Sequence, residues 1–180
     1  MKAMFNWSHS LIVALLLLST FSYCQIDNPS QKAEIEFAAK EVISGASTCA
    51  LITLDSEGAP RARAMDPFPL EEDFTVWFGT NSNSRKVTQI KNDPRVTLYY
   101  LSKDATGYVI ISGKAVLVDD QKTKDHYWKE KWKDFYPESR DNYLLIKVIP
   151  HWMEVLSPTH NIYNDSITWQ PPVLRFEHVD

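Results

Sequence analysis

The segments able to form β-strands are short and broken at close intervals by turn residues, and this spacing limits the fold more than any other property of the chain. Apolar or β-branched runs occur at residues 48–54, 74–78, 95–101, 108–118, 143–149 and 151–156, residues 60–65 follow the first as the return strand of a hairpin, and a last short candidate lies at 173–177. Between them stand Asp55-Ser56-Glu57-Gly58, Asn92-Asp93-Pro94 and Pro150, residues that reverse or stop a strand. Helical periodicity is confined to a few places. Ile35, Ala38, Ala39, Val42 and Ile43 form one stripe over residues 31–44, ended by Gly45, and Asp119 or Asp120 caps a second helix that the pattern extends to about Trp132. Strands joined by tight turns exclude a parallel sheet of βαβ units. The pattern predicts a mainly β (α+β) fold, a six- or seven-stranded antiparallel barrel with peripheral helices. Residues 48–54 are continuously apolar, which predicts burial on both faces, and Gly113 predicts a bulge in the long fifth strand.

The first residues read differently from the rest. Lys2, an unbroken apolar run from Leu11 to Leu18, and Ser22-Tyr23-Cys24 have the form of a secretory signal peptide cleaved after Cys24. The apolar run is shorter than the ~20 residues a membrane span needs. Lipidation at Cys24 is the alternative, and bulky Tyr23 before it argues against that. The expected product is an exported protein, periplasmic or extracellular, with a single domain over residues 25–180 and a core at about 34–156. Of the two cysteines only Cys49 would remain, which excludes an internal disulfide. A net charge of −4 gives no reason to expect nucleic acid or an anionic membrane as a partner.

Residues 80–95 carry the chemistry. Thr80 to Ser84 reads as a polar turn, and Ser84 or Asn83 as the N-cap of a short helix that ends before Pro94. Arg85 and Lys86 then occupy the first turn, the positive end of the helix dipole, where acidic residues are favoured. The third residue after Ser84 is Val87, so no Glu or Gln closes a capping box. Two cations, several hydroxyls and an open helix N-terminus suit a phosphate. A solvated loop with two snorkelling cations is the other reading of the same residues. Arg61 and Arg63 share one face of the preceding strand.

Three segments, Gly58-Ala59-Pro60-Arg61-Ala62-Arg63, the run from Thr80 through Ser84-Arg85-Lys86, Gln89-Ile90 and Asn92-Asp93-Pro94-Arg95-Val96, and Val109-Ile110-Ile111-Ser112-Gly113-Lys114-Ala115, together resemble the FMN-binding split barrels related to pyridoxamine 5′-phosphate oxidase, in their general-stress-protein-like branch. The resemblance extends over about residues 34–154. It implies a split β-barrel homodimer with FMN at the subunit interface. Thr80, Arg85 and Lys86 would be on the phosphate, Arg63 on the flavin or its phosphate, and Ser84, Arg61 and Trp152 are further candidates. The implied activity is flavin-dependent oxidoreduction of a small molecule. Non-enzymatic sequestration of a flavin or haem is the alternative, and the deazaflavin used by relatives of the fold is a third cofactor. The chain departs from the oxidases in three ways. It has no Lys in Ala64-Met65-Asp66-Pro67-Phe68, it has Tyr108 where a Gln is expected, and Arg175 and His178 do not match the substrate-binding Arg and His. Oxidation of pyridoxamine phosphate is therefore not expected. His126, His151, His160 and His178 lack metal-ligand spacing, so no metal is expected, and the aromatic set Trp128, Trp132, Phe135 and Tyr136 reads as core or dimer packing rather than a cofactor wall.

Overall fold

The computed structural model describes residues 28–134 and 142–177. The signal-peptide expectation, Phe135, Tyr136 and His178 lie outside the described residues. The chain opens with α1 (Pro29–Gly45), whose N-cap Asn28 accepts a hydrogen bond from the Ser30 amide at 3.0 Å. The five residues of the predicted stripe are the ones it buries. Seven strands follow, β1 (Cys49–Leu54), β2 (Pro60–Met65), β3 (Val76–Asn81), β4 (Arg95–Leu101), β5 (Tyr108–Val118), β6 (Tyr143–Leu156) and β7 (Val173–Arg175), with α2 (Arg85–Asn92) after β3 and α3 (Gln121–His126) after β5. They form one antiparallel sheet in the order β2-β1-β4-β5-β6-β3, and β7 pairs with the second half of β6. The sheet is not closed. Its edge strands meet only through an isolated bridge between Pro67 and Phe78 among the described residues, leaving a split between β2 and β3.

The main core lies between α1 and the inner face of the sheet, where Leu51, Leu98, Tyr100, Val109, Ile111, Met153 and Val155 are fully buried. A second, smaller cluster of Phe68, Trp77, Tyr143 and Leu145 borders the split. β1 alternates buried and half-buried residues, so the expected burial on both faces is corrected to one. Its outer residues Ala50 and Ile52 continue across register with Tyr99 and Thr97 into a half-exposed outer face.

Four element boundaries differ from the sequence pattern, each for a local reason. β3 begins at Val76, because Phe74 has φ 64°, a left-handed conformation no strand accommodates, and its ring is buried against the core instead. The strand then runs on through Thr80, read above as a turn residue, because β6 keeps pairing with it out to Asn81 opposite Tyr143. The two strands expected around Pro150 are one, β6, since Pro150 pairs opposite Gly113 where the register shifts, and a bulge accommodates a residue without an N–H. Gly113 is required there: a Cβ on it would sit 2.1 Å from the Ile149 carbonyl oxygen. Finally, α3 is capped by Asp120 as expected but stops at His126. Tyr127 leaves the helix to stack on Trp77, with ring centroids 4.5 Å apart, and to donate its hydroxyl to Glu71. A 3-10 turn at Glu130–Trp132 replaces the predicted helix end.

Candidate functional site

The split between β2 and β3 opens beside the N-terminus of α2. Ser84 is the N-cap of that helix, yet its side chain makes no capping bond, and no acidic residue stands in the first turn. The Ser84 hydroxyl lies 3.2 Å from Thr80 Oγ1, and Lys86 Nζ donates to the same Thr80 oxygen at 3.0 Å. Because Thr80 belongs to β3 and is buried, it fixes the lysine at the lip of the split.

Arg63 enters from β2. It donates through Nη1 to Thr53 Oγ1 at 2.8 Å and to the Leu51 carbonyl at 3.3 Å, and through Nη2 to Gln89 Oε1 at 2.9 Å. Thr53 donates in turn to Gln89 Oε1 at 2.6 Å. The guanidinium is thus oriented by neutral acceptors. Burial, and then the charge of Arg85, lower its pKa. Lys86 is held below the usual lysine range by burial first and by Arg63 second. Three cations therefore crowd one corner, and no carboxylate pairs with any of them among the described residues. Cations on and near these elements behave differently: Arg61, on β2 with Arg63, pairs with Asp55 at 2.7 Å, and Arg95, at the start of β4, pairs with Asp93 at 2.5 Å.

The adjoining cleft has a volume of about 450 Å³. Its walls are the end of β2 (Ala64 and Met65) with Asp66 just after it, β3 (Gly79, Thr80, Asn81), Lys86 and Trp132. A larger cavity of about 720 Å³ lies between α1 and residues 67–72, but its lysines are already paired, Lys40 with Glu72 and Lys129 with Asp66. The β2–β3 cleft combines a lysine without a carboxylate partner among the described residues with hydroxyls and a helix N-terminus, a donor set suited to a dianion such as a phosphate monoester.

Of the residues singled out from the sequence, the structure brings Arg63, Thr80, Ser84, Arg85 and Lys86 to this corner. Arg61 is held in the β1–β2 hairpin by Asp55, and none of its contacts reaches α2. Trp152 lies on the outer face of the sheet, paired in register with Ser112 and Arg175, beyond the part of β6 that pairs with β3. From the sequence, Thr53 and Gln89 were given no role at the site, and Trp132 was read as packing. Gln89 stands four residues after Arg85, one helical turn on, and Thr53 is a hydroxyl at an inward position of an otherwise apolar strand. His160 accepts or donates through Nδ1 to Ser157 Oγ at 2.7 Å, a local contact within the 3-10 turn after β6. Among the described residues no group of three or more His, Cys, Asp or Glu side chains is placed to hold a metal ion.

Residues 36–161 match the family described as pyridoxamine 5′-phosphate oxidase like. The chain belongs to that family. Among solved structures, General Stress Protein 26 from Bacillus anthracis is 25% identical, with a TM-score of 0.62 over 79% of this chain and 99% of its own. A pyridoxamine 5′-phosphate oxidase-related, FMN binding protein from Nostoc punctiforme is 16% identical, with a TM-score of 0.55 over 84% of this chain and 98% of its own. A heme binding protein from Mycobacterium smegmatis has a TM-score of 0.53 at 14% identity, over 69% of this chain and 53% of its own. No curated protein sequence matches the chain. The open seven-stranded sheet is the split barrel of this family, and the family match spans the hairpin of Arg63, the helix of Arg85 and Lys86, and the long strands β5 and β6.

Proposed function

We propose that this protein binds FMN in the cleft of the split and serves as a flavin-dependent oxidoreductase for a small molecule. The observation that carries the reading is the trio of Arg63, Arg85 and Lys86, crowded together without a carboxylate. A phosphate monoester brings nearly two negative charges at neutral pH, and it would offset both the burial that chiefly lowers the pKa values of Arg63 and Lys86 and the smaller repulsion among the cations. Thr80, Ser84, Arg85 and Lys86 would hold the phosphate, with Arg63 fixed behind them by Thr53 and Gln89. When bound, the flavin supplies the hydride or electron chemistry, and the chain supplies binding, orientation and electrostatics. The family membership and the FMN binding relative support the same cofactor.

Pyridoxamine phosphate oxidation is not part of this reading. Tyr108 stands at the position of the oxidases' Gln and stacks on Tyr99, with ring centroids 5.7 Å apart. Phe68, at the end of the stretch that lacks the oxidases' Lys, is buried. We infer further that a second copy covers the outer sheet face, where Ile52, the Tyr99–Tyr108 stack and Leu101, 48% exposed, lie side by side.

The test is to titrate purified protein with FMN, following flavin absorbance and fluorescence, alongside a variant carrying Arg85→Ala and Lys86→Ala. The reading expects saturable binding that the double variant loses. Absence of FMN binding, or a double variant that binds like the wild type, contradicts it. A Soret band on haem addition without FMN binding would move the assignment to haem.

A further inference from the structure

Residues 127–132 form a strap across the split, and its last side chain faces the cleft. On the β2 side, Lys129 Nζ donates to Asp66 Oδ1 at 2.9 Å and to the Pro67 carbonyl at 3.0 Å. Tyr127 ties the start of the strap to Glu71 and Trp77. On the β3 side, Trp132 lies directly on Gly79. A Cβ at residue 79 would be 2.4 Å from Trp132 Cζ3 and 2.5 Å from Cη2, so the indole occupies space that any other residue would fill. Phe68, Trp128 and Tyr143 surround the same indole, with centroids 5.4, 6.2 and 5.6 Å away. Lys129 Nζ stands 5.3 Å from the indole centroid. These neighbours leave the indole little rotational freedom. It is half-buried, and it lines the cleft together with Thr80 and Lys86.

The consequence is geometric. A ligand whose phosphate is anchored at Thr80 and Lys86 has its remaining atoms in a cleft walled by Gly79 and Trp132. A planar ring system meeting a fixed indole gains contact area with little loss of side-chain entropy, because the indole is already immobile. The absent side chain at Gly79 lets the indole lie low enough to leave the cleft open.

We propose that Trp132 is the positioning residue that meets the ring system of the bound flavin. The inference rests on the FMN reading above and deepens it: the corner of cations recognises the phosphate, and the strap recognises the ring. An indole in contact with an isoalloxazine quenches its emission by electron transfer, whereas a phenylalanine is a far poorer electron donor. That difference separates ring contact from a merely structural role.

The experiment compares the emission and visible absorption of FMN bound to wild type, Trp132→Phe, Trp132→Leu, Gly79→Ala and Trp152→Phe, with affinities measured in parallel. Wild-type protein should quench bound FMN strongly, and Trp132→Phe should restore emission several-fold while its packing role is retained. Gly79→Ala should raise emission with the indole still present, because the new Cβ displaces it. Affinity in Trp132→Leu should fall about threefold to tenfold, the range for losing one aromatic contact. If wild type binds FMN and Lys86→Ala weakens that binding, but both Trp132 variants remain as quenched as wild type, this inference fails while the FMN reading stands. Emission that rises in Trp152→Phe and not in Trp132→Phe also overturns it. Failure of the wild type to bind FMN overturns both.

Discussion

Every residue of β5 from Tyr108 to Val118 has a partner on β6, whereas among the described residues the two edges of the sheet, β2 and β3, are joined only by the bridge of Pro67 with Phe78. The two seams solve different problems. At the closed one, backbone hydrogen bonds are satisfied, inward residues are apolar, and the single irregularity, Gly113 against Pro150, is a bulge with no room for a side chain. At the open one, a lysine and an arginine are partly buried without carboxylates, held by Thr80, Thr53 and Gln89. Uncompensated charge lowers stability, so its presence at the open seam is what a ligand site looks like and a structural seam does not. Changes at the closed seam should therefore cost stability, and changes at the open seam should cost binding.

The largest effect expected is at the closed seam. Gly113→Ala forces a Cβ onto the Ile149 carbonyl, and the denaturant midpoint should fall by the equivalent of about 3 kcal/mol or more. A shift no larger than that of a typical surface change would remove the distinction between the seams. Next comes Lys86→Ala, which should weaken FMN binding about 10–100-fold, the worth of one or two charge-assisted hydrogen bonds, with a nearly unchanged denaturant midpoint.

A third prediction concerns pH in the main core. The Cys49 thiol, buried against Tyr100, is pushed up to about 12, chiefly by burial. The folded chain thus holds the thiol proton more tightly than the unfolded chain, whose thiol titrates near 9.0. Its contribution is complete below that value and drains away as pH climbs toward 12. Urea midpoints at pH 7 and pH 10 should differ by about 1 kcal/mol more in wild type than in Cys49→Ala. Equal pH dependence in the two proteins would show that the thiol is not so buried. The smallest effect is the most diagnostic of the open seam. Lys86→Met removes a partly buried charge from beside Arg63, so the flavin-free protein should melt roughly 2 °C higher. A lower melting temperature would mean that Lys86 is a structural cation.

The sequence carried the strand series, α1 and the anomaly of Arg85 and Lys86 openly, because each is a local pattern: alternation, a helical stripe, a charge at the wrong end of a dipole. Arg63 entered through a family resemblance, since only folding brings it beside α2. Thr53 and Gln89 were not legible, because their contact joins residues 36 apart. Trp132 was hidden by a helical pattern that Tyr127 interrupts with tertiary contacts to Trp77 and Glu71. Pro150 misled because a proline breaks a regular strand, while a bulge opposite Gly113 accommodates it.

The central claim is that the open seam recognises a flavin by its phosphate, and the ratio of FMN to riboflavin affinity in wild type and Lys86→Ala tests it most directly. The two ligands share the ring and differ in the phosphate. Calorimetric titration should show FMN binding about 100-fold more tightly than riboflavin in wild type, consistent with two lost charge-assisted hydrogen bonds, and the ratio should contract sharply in Lys86→Ala. Equal affinity for the two ligands in wild type, or a ratio that Lys86→Ala leaves unchanged, would contradict the account.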